Sequence, residues 1–396
     1  MKVLYFLTNY PFYSETFIAA EIVQLREAGH TPVICNFTFY NENQKGSNDK
    51  IINNSKNVGK HLFAIVSQLL KGDSLFFDRS FWYAVITSCI KKPSAIPKYL
   101  FMLLSVDYML SKAKAENADI AVNHFLFKST LAGSFIANKI DLPYHLRLHT
   151  KRYFYTEKVL KDILTKASKI TAIASDVGDF YGDKSTSIEK IGIVRQSVDV
   201  SFLENFSGLN NNADIFQIVA IGRLIKKKGF DQLIEAFASL DTPTQKKCRL
   251  SIYGDGAERP YLQKMIETSG LQTKITLHGK TAHRDLMRVL SQANLLVVPS
   301  IELKEDIDGI PTVIIEAMLM KTAVLAYNTA SISEIVKDQK TGFLIAANDS
   351  IGLSNKINQL VSNPALLEQV VTPAYHNVLK EYDHTLAKEL SFENKE

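Results

Sequence analysis

The sequence predicts an α/β protein made of two doubly wound lobes. Three observations carry that prediction. From about residue 214 short apolar runs alternate with amphipathic stretches: "IFQIVAIGRL", "RLSIYGDG", "KITLHG", "NLLVVPS", "AVLAY" and "GFLIA" read as six strands with helices between them. Strands that alternate with helical patterns form βαβ units and a parallel sheet. The N-terminal end begins the same way, and the 396 residues suggest about two to three domains. No internal repeat stands out, so a solenoid is not expected.

The elements follow in order. "VLYFLT" (3–8) is a buried strand, with turn chemistry at Pro11 and a candidate helix N-cap at Ser14. Phe17, Ile18, Glu21, Ile22 and Leu25 mark a helix that Gly29 ends, and "TPVICNF" is the next strand. "NENQKGSNDKIINNSKN" reads as a polar loop, while "ADIAVNHF" (118–125), "PYHLRLHT" (143–150) and "KITAIAS" (169–175) are further strands, with a helix near 129–139. The second half brings helices over "FDQLIEAFASL", 259–269, "RDLMRVLSQA", 311–320 and "SISEIV", and "LLEQVVTPAYHNVLKEYDHTLAKEL" is helical. The expected organisation is a lobe over 1–200, a polar linker at "SGLNNNAD", a second lobe over 201–375 and a C-terminal helix over 376–396.

Composition is that of an ordinary globular chain, with 46% hydrophobic and 22% charged residues. Cys35, Cys89 and Cys248 lie far apart without metal-ligand spacing, which predicts reduced thiols in a reducing, cytoplasmic setting and no metal. The opening "MKVLYFLTN" has an apolar run of only five residues, too short for a signal-peptide core. No stretch reaches the ~18 apolar residues of a membrane span. A net charge of +5 is not in itself a nucleic-acid signature, and no nucleic acid is expected. The base is unevenly placed, however. Residues 56–105 hold Lys56, Lys60, Lys71, Arg79, Lys91, Lys92 and Lys98 against Asp73 and Asp78, together with the single tryptophan, Trp82. Such a mixture suits an anionic membrane surface. It equally suits a pair of packed helices with solvated lysines.

Ligands of open α/β sheets bind at the carboxyl ends of strands, so the strand ends supply the candidate site. Gly222 permits a tight exit from its strand; Arg223 and Lys228 follow on the loop into the next helix, where they could hold a diphosphate. Gly254 and Asp255 stand at the next strand end, a weak phosphate-loop signal or a simple tight turn. "DGIPTVIIEAMLM" (308–320) is the most pointed stretch. Pro311 suits the first helical position, and Gly309 and Ile310 offer backbone amides near a helix N-terminus. Glu316 stands among Ile314, Ile315, Ala317 and Met318, where a charge is costly unless something pairs with it. Asp308 precedes it with seven residues between. Such a pair can grip two ends of a nucleotide sugar, the sugar at Asp308 and the ribose hydroxyls at Glu316.

At these residues the chain resembles the retaining GT-B glycosyltransferases of family 4, and its N-terminal "FYSETFIAAEIVQLREAGH" resembles an exopolysaccharide-biosynthesis subgroup. The resemblance rests on "GRLIKKKGFDQLIEAF", "IYGDGAE", "DGIPTVIIEAM" and "SEIVKDQKTGFLI", in that order over about 215–346. It implies two Rossmann-like lobes facing across a donor/acceptor cleft, the first binding an acceptor and the second a nucleotide diphosphate sugar, with the C-terminal helix crossing back. Glu316 matches the ribose-binding second acid of the family's E-x7-E motif, and Asp308 the first, shorter here by one methylene. Arg223 and Lys228 match the diphosphate pair. His149 in "LRLHTKRYF" matches a histidine that approaches the donor sugar, with His145 and His124 as nearby candidates; Lys151 and Arg152 stand where an acidic residue is common. Ala330 and Ser331 replace the family's glycine pair, and Ser14 and Glu15 replace a glycine-rich first loop, leaving them acceptor-side candidates with His124.

The expectation is hexose transfer with retention, without metal or other cofactor, onto a glycan or lipid-linked oligosaccharide for cell-surface polysaccharide such as capsule. Peripheral membrane contact would run through 56–105. Two rivals remain: a non-hydrolysing nucleotide-sugar epimerase on the same architecture, and a non-catalytic partner that binds nucleotide or glycan.

Overall fold

The computed structural model describes residues 1–11, 15–39, 49–91, 93–184, 191–204, 206, 215–303, 309–329 and 331–382. The chain divides into two compact units, Met1–Arg195 and one that starts at Gln196. The division falls slightly before the position expected at 200/201, and "SGLNNNAD" lies outside the described residues.

The first unit holds strands β1 (Lys2–Leu7), β2 (Thr31–Asn36), β3 (Lys50–Asn53), β4 (Ile120–His124), β5 (Tyr144–Leu148), β6 (Lys169–Ala172) and β7 (Gly192–Ile193). They form a seven-stranded sheet in the order β3-β2-β1-β4-β5-β6-β7, and every pairing is parallel. Its helices are α1 (Thr16–Glu27), α2 (Val58–Leu70), α3 (Arg79–Lys91), α4 (Ile96–Lys114), α5 (Lys128–Lys139), α6 (Glu157–Lys166) and α7 (Ser175–Gly182). A parallel sheet is covered on both faces, so its central strands are apolar runs rather than alternating ones. β1 obeys this. β4 and β5 are buried along their whole length yet carry Asn123, His124, His145 and Arg147. Buried polar groups in central strands are costly unless bonded, and they mark the first unit's site.

The second unit holds β8 (Phe216–Ile221), β9 (Cys248–Tyr253), β10 (Ile275–Gly279), β11 (Leu295–Val298), β12 (Ala323–Tyr327) and β13 (Phe343–Ile345). The order is β10-β9-β8-β11-β12-β13, parallel throughout. Around it lie α8 (Val200–Glu204), α9 (Phe230–Ala238), α10 (Thr242–Lys247), α11 (Arg259–Thr268), α12 (His283–Gln292), α13 (Thr312–Leu319), α14 (Ile332–Ile335), α15 (Ser350–Ser362) and α16 (Ala365–Glu381). The core is contiguous from Ile218 on β8 through Phe237 on α9 to Leu325 on β12 and Val370 on α16. Each such buried aliphatic or aromatic side chain contributes about 1.5–3 kcal/mol. Strand order reverses between β1 and β4 in the first unit and between β8 and β11 in the second, the places where doubly wound sheets open a crevice.

Several local expectations change. "KIIN", read as part of a loop, is the edge strand β3. Only two apolar residues stand between polar neighbours there, too few to register as a strand. Residues 56–105 form parts of three helices, not two, because Pro93 begins a short turn that separates α3 from α4. Glu15 rather than Ser14 is the N-cap residue of α1, without a side-chain cap bond; Ser14 lies outside the described residues. Pro311 is the N-cap of α13, not its first helical residue, with an extended ψ of 124°. The helix expected from 376 is part of α16, which runs unbroken from Ala365 to Glu381 through Pro373 and packs on α13 and β12. Residues 383–396 lie outside the described residues.

Candidate functional site

In the second unit the candidate donor residues gather at the ends of β8, β9 and β11. β8 exits through Gly222, whose amide donates to the Tyr253 carbonyl at 3.0 Å. Arg223 follows, exposed. A short turn over Lys226–Lys228 ends at Gly229, with φ at 63°, and α9 begins. A side chain at Gly229 would put its Cβ 1.9 Å from the Pro299 carbonyl oxygen beyond β11. The two loops at the switch point therefore touch by backbone. Gly254 serves likewise: its φ is 137° and a Cβ would meet the Gly222 carbonyl oxygen at 1.8 Å. A Cβ at Gly256 would stand 2.3 Å from Leu224 O. The glycines after β9 thus hold two loops together, the tight-turn alternative. Exposed Asp255 accepts from Gly256 N at 2.9 Å. Lys228 is half-buried, Lys226 is ion-paired with Asp231, and Lys227 is buried, its carbonyl accepting from Ile301 N at 2.8 Å.

Glu316 lies on α13, whose apolar residues fill both flanks; the residue is only 7% exposed. Its partner is one the sequence reading did not single out. His283 Nε2 donates to Glu316 Oε1 at 2.8 Å. His283 is the first residue of α12, where the positive helix end disfavours a cation. Burial also pushes its pKa down, yet the hydrogen bond and charge of Glu316, helped by Asp199, leave it raised above the ordinary histidine value. The Phe202 ring stacks on the imidazole, with centroids 5.6 Å apart. Gly309 and Ile310 are buried, and the Ile310 carbonyl accepts from Gln196 Nε2 at 3.2 Å. Asp308 and Ala330 lie outside the described residues. Ser331 is the N-cap of α14. The Ser300 hydroxyl, buried after β11, has no hydrogen-bond partner among the described residues.

In the first unit His149 stands directly after β5. Its Nε2 and His124 Nδ1 are 2.9 Å apart. His124 Nε2 lies 3.0 Å from Glu21 Oε1, to which the Tyr5 hydroxyl donates at 2.8 Å. The Arg147 Nε is 3.3 Å from Glu21 Oε2. Sheet register brings these residues together, since β4 and β5 pair with His124 opposite Arg147. Burial pushes the Glu21 pKa up, but the Arg147 guanidinium and His124 outweigh it and hold it down to about 2. His124 Nδ1 and His149 Nε2 share one hydrogen bond, its direction set by the ring tautomers. The other ring nitrogen of His149, Nδ1, is buried without a partner among the described residues. Burial, then the charges of His124 and Arg147, push the His149 pKa well below the ordinary value. Phe17 and Phe125 pack on its ring at 4.7 and 4.5 Å. His145 lies apart from this chain of bonds; its Nε2 is 3.2 Å from the Thr171 hydroxyl, inside the sheet. Glu15 is half-buried at the start of α1. Lys151 is paired with Asp176 at 2.8 Å, and Arg152 stacks on Phe154. Among the described residues no group of acids, histidines and cysteines could hold a metal ion.

Known proteins place this arrangement. The family model described as "Glycosyl transferases group 1" matches residues 201–377. The chain is 28% identical over 157 residues to the alpha-D-kanosaminyltransferase of Streptomyces kanamyceticus, which is 40% of this chain and 39% of that protein. It thus spans well under half the length of that relative. The amylovoran biosynthesis glycosyltransferase AmsK of Erwinia amylovora is 22% identical over 98% of this chain and 97% of its own. Among solved structures, Anabaena Alr3699/HepE in complex with UDP and glucose superimposes with a TM-score of 0.74 at 16% identity, covering 100% of this chain and 99% of the other. Two doubly wound parallel-sheet units of this kind define the GT-B fold, and the chain has it. Residues 201–377, rather less than half of the chain, are where it is similar to the group 1 glycosyl transferases.

Proposed function

We propose that the protein transfers a hexose, with retention, from a nucleotide diphosphate sugar to a glycan or lipid-linked glycan in polysaccharide biosynthesis. The observation that carries the reading is Glu316. It is a buried carboxylate on an apolar helix, and among the described residues its partner, His283, takes only Oε1. A carboxylate accepts several hydrogen bonds, so Oε2 is available to ribose hydroxyls. Arg223 and Lys228 at the β8 exit supply the positive charge for a diphosphate leaving group, the electrostatic stabilisation that usually dominates such transfer. Asp308 and His149 are the proposed sugar-contacting residues. The relatives named for colanic acid and amylovoran biosynthesis and the fold neighbours solved with UDP or UDP-glucose support the reading. Metal is not required by it: the two basic side chains do the neutralising.

The test is a thermal-shift series with UDP, GDP, ADP and CMP and their common sugars. A nucleotide that binds the native state raises the midpoint by mass action, about 2.7 kcal/mol at a hundredfold excess over Kd. One nucleotide should stabilise the wild type, and Glu316→Ala should abolish that shift. A wild type that no nucleotide stabilises overturns the donor site. Release of a free epimer without acceptor would favour the epimerase instead.

A further inference from the structure

Among the described residues, seventeen large apolar side chains are exposed, and thirteen of them fall between Val58 and Leu104. Four scattered elsewhere need no explanation; twelve on three helices, with Phe77 between two of them, do. The α2 part of the face they make is inside-out. On α2 the buried stripe is His61, Ala64, Ile65 and Gln68, while the solvent side carries Leu62, Phe63, Val66 and Leu70. Phe63 is 77% exposed and Leu70 is 84% exposed. Ordinary surface helices bury the apolar stripe and expose the polar one. Here the more polar side faces the protein. α4, which packs against both α2 and α3, buries an apolar side of its own and still exposes Ile96, Leu100 and Leu104 at a spacing of four.

The charge around this face is also one-sided. Lys60, Lys71, Arg79 and Lys98 are exposed. The two acids of the segment are already engaged: Asp73 pairs with Lys114 at 2.6 Å, and Asp78 accepts from Phe81 N at the start of α3. Beside the face lies a cavity of about 300 Å3 between α3, α5 and α6. Arg79, Lys158 and Lys166 line it against the single acid Asp162, with Ser134 and Asn138 as further polar groups. Tyr83 belongs both to the exposed stripe of α3 and to the cavity wall, so the cavity adjoins the apolar face.

We propose that the α2–α4 face docks on an anionic lipid bilayer, its apolar side chains entering the interface and the adjoining cavity seating a headgroup phosphate. Apolar burial plus attraction between lysines and anionic lipids is the energetics of an interfacial helix. No described helix is long and apolar enough to cross a membrane, which leaves a surface contact. A second copy of the chain fits less well, because a two-fold contact sets the same patch against itself and would bring lysines against lysines.

The inference does not depend on the sugar-transfer reading. Its test is flotation of the full chain with vesicles of phosphatidylcholine alone and with added phosphatidylglycerol. Binding to the anionic vesicles should exceed binding to the neutral ones at least tenfold and fall with salt. Phe63→Ser combined with Leu70→Ser touches only exposed positions, so the melting midpoint should hold while binding drops at least tenfold. Arg79→Ala with Lys166→Ala should remove most of the preference for phosphatidylglycerol. Glu316→Ala should float as the wild type does, which separates failure here from failure of the donor site. Absence of binding to anionic vesicles overturns the proposal, as does binding that the serine variants leave intact. A stable dimer that those variants dissociate also overturns it, by assigning the face to a second copy.

Discussion

Each unit pairs a buried glutamate with a histidine, and the two pairs dispose of their charge in opposite ways. In the first unit Glu21 has its own cation, Arg147, and burial lowers the proton affinity of His149 beyond it. In the second unit the partner of Glu316 among the described residues is His283, whose proton affinity is raised. The same two residue types therefore lower a histidine's proton affinity in one place and raise it in the other. The difference lies in what else arrives: β5 brings an arginine to Glu21, whereas among the described residues α12 brings His283 to Glu316.

The strongest way to break that comparison is to remove the arginine. Arg147→Met keeps the volume but leaves Glu21 buried beside two histidines. Stranding one member of a buried pair costs about 3–5 kcal/mol. Urea unfolding should show a loss of that size, and adding Glu21→Gln should recover much of it. If the two losses simply add, Arg147 and Glu21 are not coupled and the first unit's charge is balanced by something else. A smaller loss is expected from Tyr5→Phe, which deletes one donor to Glu21 while His124 and Arg147 remain. About 1–2 kcal/mol is the scale for a hydrogen bond to a charged group. A variant as stable as wild type would mean that Tyr5 contributes packing alone.

How much of this was legible in the sequence follows from the same chemistry. Glu316 was legible because a charge in a continuous apolar helix is conspicuous. Glu21 carries a weaker form of that signal: on α1 it falls on the face of Phe17, Ile18 and Leu25, and nothing in its own neighbourhood names a partner. Arg147 and His145 inside an otherwise apolar strand were a sign too, since a central parallel strand tolerates a polar residue only when it is bonded. The assembly itself was not readable. Tyr5, Glu21, His124 and Arg147 come from four elements, and they meet only because β4 inserts between β1 and β5. The alternation that produced the fold class was plain in the second half, where all six expected strands form. In the first half it missed β3, and β7 with its two residues. His283 went unnoticed because a histidine opening an amphipathic helix is chemically ordinary until α13 sets a carboxylate 2.8 Å from it.

The finest test of the comparison is pH, because the two pairs should lose stability in opposite directions. His283 has a folded pKa above its unfolded value of about 6.5. Its contribution is complete below that value and is lost as pH rises through the folded pKa. His149 has a folded pKa below the unfolded value, so the unfolded chain binds a proton that the folded one refuses, and stability is lost as pH falls below about 6.5. Glu21, held at about 2, loses its contribution only at lower pH still, below its unfolded value of about 4.3. Urea unfolding at about pH 5.5 and pH 8.5 should therefore move two variants oppositely. The advantage of wild type over His283→Gln, about 1 kcal/mol at the acid end, should shrink toward the alkaline end. The advantage of wild type over His149→Asn should grow. Should both shrink or both grow, one of the two histidines carries the opposite charge from the one its surroundings dictate, and Arg147 no longer explains why the units differ.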